Sequence, residues 1–359
     1  MSQQKNKLSI CYFGIYDQNL ARNKNYISCL KKAGFEVLQC NDHGVGFRKY
    51  VYLFLKHWKI RKQYDIMLVG FPGHVIMPFA KLICRKKIIF DAFFTVYEAE
   101  IISRKKYNKT NWRYWYIKII DYIAVKFASY ILVETKQQQN FFINKFKIDS
   151  SKISSLYTGV DEEIFKFKQI DKFEKYTVLF RGRLMPEAGV AHLLKAAKLL
   201  EQEEINFLII GFGFMEKEIK ETIDRLCLNN VKLISRHIES AELVEYMLKS
   251  HVSLGQFENN ERLDRTIPHK AFESLALKLP YITGRAKGAE ELFTDNLNCL
   301  MVELGDAQDL ADKIMILKND RTISDNIAHN GYELYKEIFS SEVIGKELTK
   351  LIYEVYEKN

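Results

Sequence analysis

Several side chains in the second half of the chain have the types and spacing to hold an anion. Arg183 closes Phe180-Arg181-Gly182-Arg183 after an apolar run, where a guanidinium can grip a diphosphate through paired N–H groups. Lys270 follows Pro268, a residue favoured at the first helical turn. It therefore adds an ammonium to a helix start whose free N–H groups already attract phosphate. Glu273 stands one turn further along the same helix. Gly211-Phe212-Gly213 ends another apolar run and reads as a tight turn beside the ligand. Taken alone it also fits a dinucleotide fold, although Glu216 stands where a third glycine belongs. In the first half, Gly14, Gly73-His74 and Asp91 each follow an apolar run. Asp91 can orient or deprotonate a hydroxyl, and His74 can donate or accept a hydrogen bond.

These residues need strands and helices to position them, and the sequence alternates the two. In the first half, strands are predicted over Lys7–Phe13, Phe35–Cys40, Asp65–Gly70, Lys87–Phe90 and Tyr130–Glu134, with helices between. In the second half they are predicted over Thr177–Phe180, Phe207–Ile210, Val231–Ile234, Val252–Leu254 and Tyr281–Thr283. Helices near Val190–Leu200, Glu216–Cys227, Ala241–Lys249 and Pro268–Leu277 separate these, and three helical stretches close the chain. Such alternation implies parallel, doubly wound sheets, whose ligands bind beyond the carboxyl ends of the strands. Ser150–Tyr176 is polar and irregular and reads as the junction of two domains.

The 359 residues suit about two domains. Charge is divided between the halves. Residues 1–170 hold 29 lysines and arginines against 13 acids, a net +16, whereas the remainder carries −7. The first half is therefore expected to meet something anionic. Its basic residues interleave with aromatics twice, in Phe47–Lys62 and in Arg104–Lys118. Both segments suit amphipathic helices at a membrane surface, with Arg22, Lys56, Trp58, Lys59, Arg61, Trp112 and Trp115 as acceptor or membrane contacts. The opposing reading packs the apolar side on a sheet and leaves the charges in water. No leader is read at Met1–Lys7. Ile66–Ala80 contains Pro72, Gly73 and Pro78, and falls short of the ~20 residues of a membrane span. The six cysteines show no CxxC spacing, and most sit in apolar segments and read as buried thiols in a reducing cytoplasm. No zinc-type cluster, Asp-x-Asp or GxSxG occurs, so no metal site is expected.

The second half resembles the retaining glycosyltransferases of family 4, also called group 1. The resemblance runs in order through Thr158–Phe165, Phe180–Val190, Leu208–Gly213, Ile267–Ala276, Leu279–Thr283, Gly288–Leu292 and Asn296–Val302. It implies the α/β fold called GT-B, two doubly wound Rossmann-like domains facing a central cleft. Residues 1–158 would bind acceptor and residues 159–340 a nucleotide-sugar donor, with helix 341–359 packing back toward the first domain. The implied donor site comprises Gly14, Arg183, Gly211, Gly213, Lys270, Glu273, Gly288 and Glu290. Glu273 would accept hydrogen bonds from both ribose hydroxyls, since a carboxylate offers two acceptor oxygens. Asp91 would serve the acceptor hydroxyl and His74 the transferred sugar.

The implied reaction is retaining, metal-independent transfer from a nucleoside-diphosphate sugar, UDP-linked, to a glycan or polyprenyl-diphosphate acceptor at the inner membrane face. No cofactor beyond the donor is implied. Two positions depart from the family pattern. Ala188 replaces a lysine that precedes Gly189, and Arg265 replaces the first glutamate of Glu-x7-Glu. Glu258 or Glu261 could substitute for the latter. A nucleotide-sugar epimerase of the same fold and a non-catalytic sugar-nucleotide binder therefore stay open. A basic nucleic-acid-binding protein is the reading from another class, but no binding module supports it.

Overall fold

A computed structural model describes residues 8–44 and 46–358. Lys7 of the first predicted strand, and the whole of Met1–Lys7, lie outside the described residues. The chain forms two units, one of residues 1–161 with 341–359 and one of residues 162–340.

The first unit runs β1 (Ser9–Gly14), α1 (Ala21–Lys32), β2 (Glu36–Asn41), α2 (Arg48–Ile60), β3 (Ile66–Val69), α3 (Met77–Ile83), β4 (Ile88–Phe93), α4 (Trp112–Phe127), β5 (Tyr130–Val133), α5 (Lys136–Phe146) and β6 (Ile153–Ser155). All six strands pair in parallel in the order β2-β1-β3-β4-β5-β6. The period of two along β1 divides the core. Cys11 and Phe13 face Leu53, Met77 and Phe142, whereas Ile10 and Tyr12 face Tyr26 and Leu30. Side-chain caps fix helix starts: Asn111 accepts from the Arg113 N–H ahead of α4, and Thr135 accepts from Gln138 ahead of α5.

The second unit runs β7 (Tyr176–Arg181), α6 (Val190–Leu199), β8 (Ile205–Ile210), α7 (Glu216–Leu226), β9 (Val231–Ile234), α8 (Ser240–Lys249), β10 (Val252–Leu254), α9 (Lys270–Ala276), β11 (Tyr281–Gly284), α10 (Lys287–Glu290), β12 (Leu300–Val302), α11 (Ala307–Asn319) and α12 (Arg321–Leu334). Its parallel order is β12-β11-β10-β7-β8-β9. The order reverses between β7 and β10, the position where a doubly wound sheet opens a crevice for a ligand. The last helix, α13 (Ser341–Glu357), returns to the first unit. There Ile344, Leu348 and Ile352 join Tyr26 and Leu30 of α1 in one core.

Three sequence expectations need correction. The basic-aromatic segment Arg104–Lys118 is helical only from Trp112, because Asn111 caps there. β4 does not end at Phe90 but continues to Phe93, which places Asp91 inside the strand. The three-residue strands β6 and β12 lie where no strand was predicted, being too short to show alternation.

Candidate donor site and the buried groups of the amino-terminal unit

β7 delivers Phe180 and Arg181 to the carboxyl edge of the second sheet, beside the reversal of strand order. The turn after it is pressed against the turn after β8. Gly182 N–H donates to Ile210 O, and a Cβ on Gly211 would stand 1.9 Å from Gly182 O. Only glycine fits at 211. A Cβ on Gly213, where φ is +155°, would meet Leu184 O at 2.8 Å. The glycine pair thus shapes the floor of the crevice.

α9 supplies the charged wall. Lys270 at its start is buried, with Nζ 3.5 Å above the Phe180 ring and 3.3 Å from Gly255 O after β10. The same ammonium lies 3.5 Å from where a Gly182 Cβ would be. Lys270 therefore bridges the two strand ends at the reversal. One turn on, buried Glu273 pairs with Arg181, and its other oxygen lies 3.1 Å from His269 Nδ1. Burial, followed by the charge of Arg181, holds the Lys270 ammonium well below its usual pKa. Burial likewise lowers Arg181 to about 10. Glu273 pairs with Arg181, whereas the Lys270 ammonium has a backbone oxygen and the Phe180 ring as neighbours and the charge of Arg181 nearby, an electrostatic deficit that an anionic ligand removes.

Lys270 and Glu273 both stand buried on α9, one turn apart. The buried arginine beside them is Arg181, while Arg183 is exposed on the turn two residues later. Arg181 and His269 were missed. The only sequence signal for Arg181 was a charged residue closing an apolar strand. Gly288 packs its backbone against Leu263 and Thr266, and exposed Glu290 lies 3.7 Å from Arg285, in an ion cluster with Asp295 and Glu303. Glu290 thus belongs to a different cluster from Lys270. Beside Ala188, Glu187 is buried and pairs with Arg262 at 2.8 Å. Arg265 lies 3.2 Å from Glu261, and Glu258 lies 3.3 Å from His192.

In the first unit Gly14 ends β1 at the strand-order reversal between β1 and β3. Asp91 and Arg22 need correction. Neither faces solvent: Arg22 Nε donates to both Asp91 oxygens at 2.8 Å, and its Nη1 reaches Leu156 O and Thr158. The guanidinium sits between the Tyr26 and Phe93 rings. Burial pushes the Asp91 carboxyl up, and Arg22 opposes the shift. His74 is also enclosed, edge-on to Phe90 and 3.9 Å from Asp121. Burial lowers its pKa to about 3, so the imidazole is neutral. Lys56 hydrogen-bonds Asn41 O, whereas Trp58, Lys59, Trp112 and Trp115 are exposed. Among the described residues, no three His, Cys, Asp or Glu side chains gather into a metal site. None of their helices is long and apolar enough to cross a membrane.

Residues 161–334 match the model of the family described as glycosyl transferases group 1. The capsular polysaccharide biosynthesis glycosyltransferase CapM of Staphylococcus aureus is 25% identical over 258 residues, covering 67% of this chain and 65% of CapM. A Campylobacter jejuni alpha-1,4-N-acetyl-D-galactosaminyltransferase acting on a diNAcBac-PP-undecaprenol-linked glycan is 29% identical over 188 residues, 51% of this chain and 50% of that protein. The chain therefore spans less than two thirds of either relative. The crystal structure of Anabaena Alr3699/HepE with UDP and glucose superposes with a TM-score of 0.74 at 18% identity, covering 97% of this chain and all of that one.

Proposed function

Because residues 161–334 match the model of the glycosyl transferases of group 1 and the chain has the GT-B fold, we propose that it is a retaining glycosyltransferase. It transfers a sugar from UDP to a hydroxyl of a glycan or lipid-diphosphate-linked glycan. The observation that carries this reading is the pair of buried cations, Lys270 and Arg181, at the strand-order reversal, with Glu273 one turn away.

In this reading the diphosphate lies over Lys270 and the Gly182 turn, with exposed Arg183 folding onto it. Glu273 keeps lone pairs beyond those used by Arg181 and His269, and accepts from the ribose hydroxyls. In the reaction the bond from the anomeric carbon to the phosphate oxygen breaks, and a bond to the acceptor oxygen forms on the same face. The acceptor proton passes to the departing phosphate. The fixed charges of Lys270 and Arg181 stabilise the diphosphate as it leaves, which needs no reorganisation at that moment. No enzymic nucleophile takes part, consistent with Asp91 being engaged by Arg22.

HepE was crystallised with UDP, and the Campylobacter relative is named for a polyprenyl-diphosphate glycan. Those names support UDP as donor and a lipid-linked acceptor for this chain. The exposed basic and aromatic face of α2 and α4 supports a peripheral position on the cytoplasmic side of the membrane. The test is calorimetric titration of UDP and GDP into wild type and Glu273→Ala. Tighter binding of UDP, weakened in the variant, is expected; unchanged affinity removes Glu273 from the ribose role. Release of UDP from a UDP-sugar only when membrane-lipid extract is added separates a transferase from an epimerase.

A further inference from the structure

The first unit holds a groove of 610 Å³ between α2 and α3 that the donor site does not use. Phe54, Trp58, Phe79 and Leu82 form its apolar walls, and Arg61, Arg85 and Lys86 complete the lining. No acidic side chain among the described residues lines it. At its base, His57 Nε2 lies 2.7 Å from the Tyr64 hydroxyl. Burial lowers the His57 pKa, and the charges of Arg61 and Lys86 lower it further, so both cations converge on this base. Arg61 stacks 3.5 Å over the Trp58 ring, which holds its charge at the groove.

The surface around the groove is apolar where it meets water. Leu82 of α3 is 82% exposed, Phe47 ahead of α2 is 78% exposed and Trp112 of α4 is 69% exposed, with Leu55, Tyr116 and Ile119 also open. α3 packs on α4 and walls the groove with α2, so the three helices are neighbours. A patch of this kind marks a binding surface. Its charge is one-sided. From His43 to Phe90 the sequence has ten lysines and arginines and one acid, Asp65, which accepts from Ser9 N–H. The one acid of α4, Asp121, is buried. A nucleic acid would meet the cations but leave Leu55, Leu82 and Ile119 in water. An anionic lipid surface satisfies both.

We propose that the groove between α2 and α3 seats the phosphate headgroup of an anionic membrane lipid. Arg61, Arg85 and Lys86 surround the phosphate, and Trp58 and Leu82 lie at the boundary of headgroup and acyl chain. This deepens, and rests on, the reading of a membrane-docked transferase, but it does not depend on donor chemistry.

The test is flotation of the full chain with vesicles of phosphatidylcholine alone and of phosphatidylcholine mixed with phosphatidylglycerol. Binding is expected on the mixed vesicles. Arg85→Gln/Lys86→Gln should weaken it at least ten times more than Lys59→Gln/Lys62→Gln, which removes the same charge outside the groove lining. Equal losses mean diffuse attraction and overturn the groove. With Trp112→Phe/Trp115→Phe, the remaining Trp58 should shift its emission to the blue on mixed vesicles; no shift overturns the proposal. Displacement by soluble glycerol phosphate would reassign the groove to a free phosphate and overturn the lipid. UDP affinity, measured in parallel, should be unchanged in Arg85→Gln/Lys86→Gln, which separates failure of the groove from failure of the donor site. If that variant also lost UDP binding, Arg85→Lys/Lys86→Arg decides: restored vesicle binding supports the groove, and its absence overturns it.

Discussion

Arg22 and Asp91 form a closed ion pair inside the amino-terminal unit, with side chains 2% and 0% exposed. Removing one partner leaves the other charge buried and alone, so Asp91→Ala or Arg22→Met should each lower stability by about 3–5 kcal/mol. The double variant Arg22→Met/Asp91→Leu should recover much of that loss. Urea unfolding of the three proteins measures it. A stable Asp91→Ala protein that has lost only turnover would return Asp91 to catalysis.

Lys270 should show opposite effects on folding and binding. Its ammonium is held buried against Arg181, so Lys270→Met is expected to raise the melting temperature of the free protein. The same change removes a charge-assisted contact of about 1.5–3 kcal/mol and should weaken UDP binding about 10- to 150-fold. Thermal scans with and without UDP read both.

At pH values above the pKa of Lys270 in the free protein, UDP binding should draw a proton from solvent. Burial lowers the free Lys270 pKa, and a diphosphate beside it raises the pKa again. Affinity should therefore fall as pH rises through the pKa of the free protein. Titrations in buffers of different ionisation enthalpy, repeated at rising pH, measure the protons taken up, and no uptake at any pH counts against contact between Lys270 and phosphate.

His74 should make the fold acid-sensitive. Its folded pKa, about 3, lies below the unfolded value near 6.5, so the unfolded chain binds the extra proton first. This contribution is complete above about pH 6.5 and is lost as pH falls toward 3. Buried Asp121 beside it, pushed up to about 7, gives the opposite trend, so the reading is the difference: the urea midpoint of His74→Phe relative to wild type should rise as pH falls from about 6.5 toward 3.

Gly211→Ala tests the crevice floor. Its Cβ would meet Gly182 O at 1.9 Å, against backbone that cannot step aside. A cost of about 3 kcal/mol and loss of UDP affinity are expected. Wild-type UDP affinity in this variant would show that the two turns are not held together.

Most of the scaffold was legible because it depends on neighbours in the chain. Apolar runs such as Phe207–Ile210, the glycines that end them, and Lys270 and Glu273 one helical turn apart are local patterns. Short-range spacing sets backbone geometry, and backbone geometry sets which residues reach a strand's carboxyl end. The assignment of charges was not legible. Arg181 rather than Arg183 is buried because Glu273 lies opposite it, and Asp91 turns inward because Arg22, 69 residues away, occupies the interior. A charge leaves water only where a partner and enclosing side chains arrive together. Those partners come from distant elements, and packing of the folded chain alone brings them into contact.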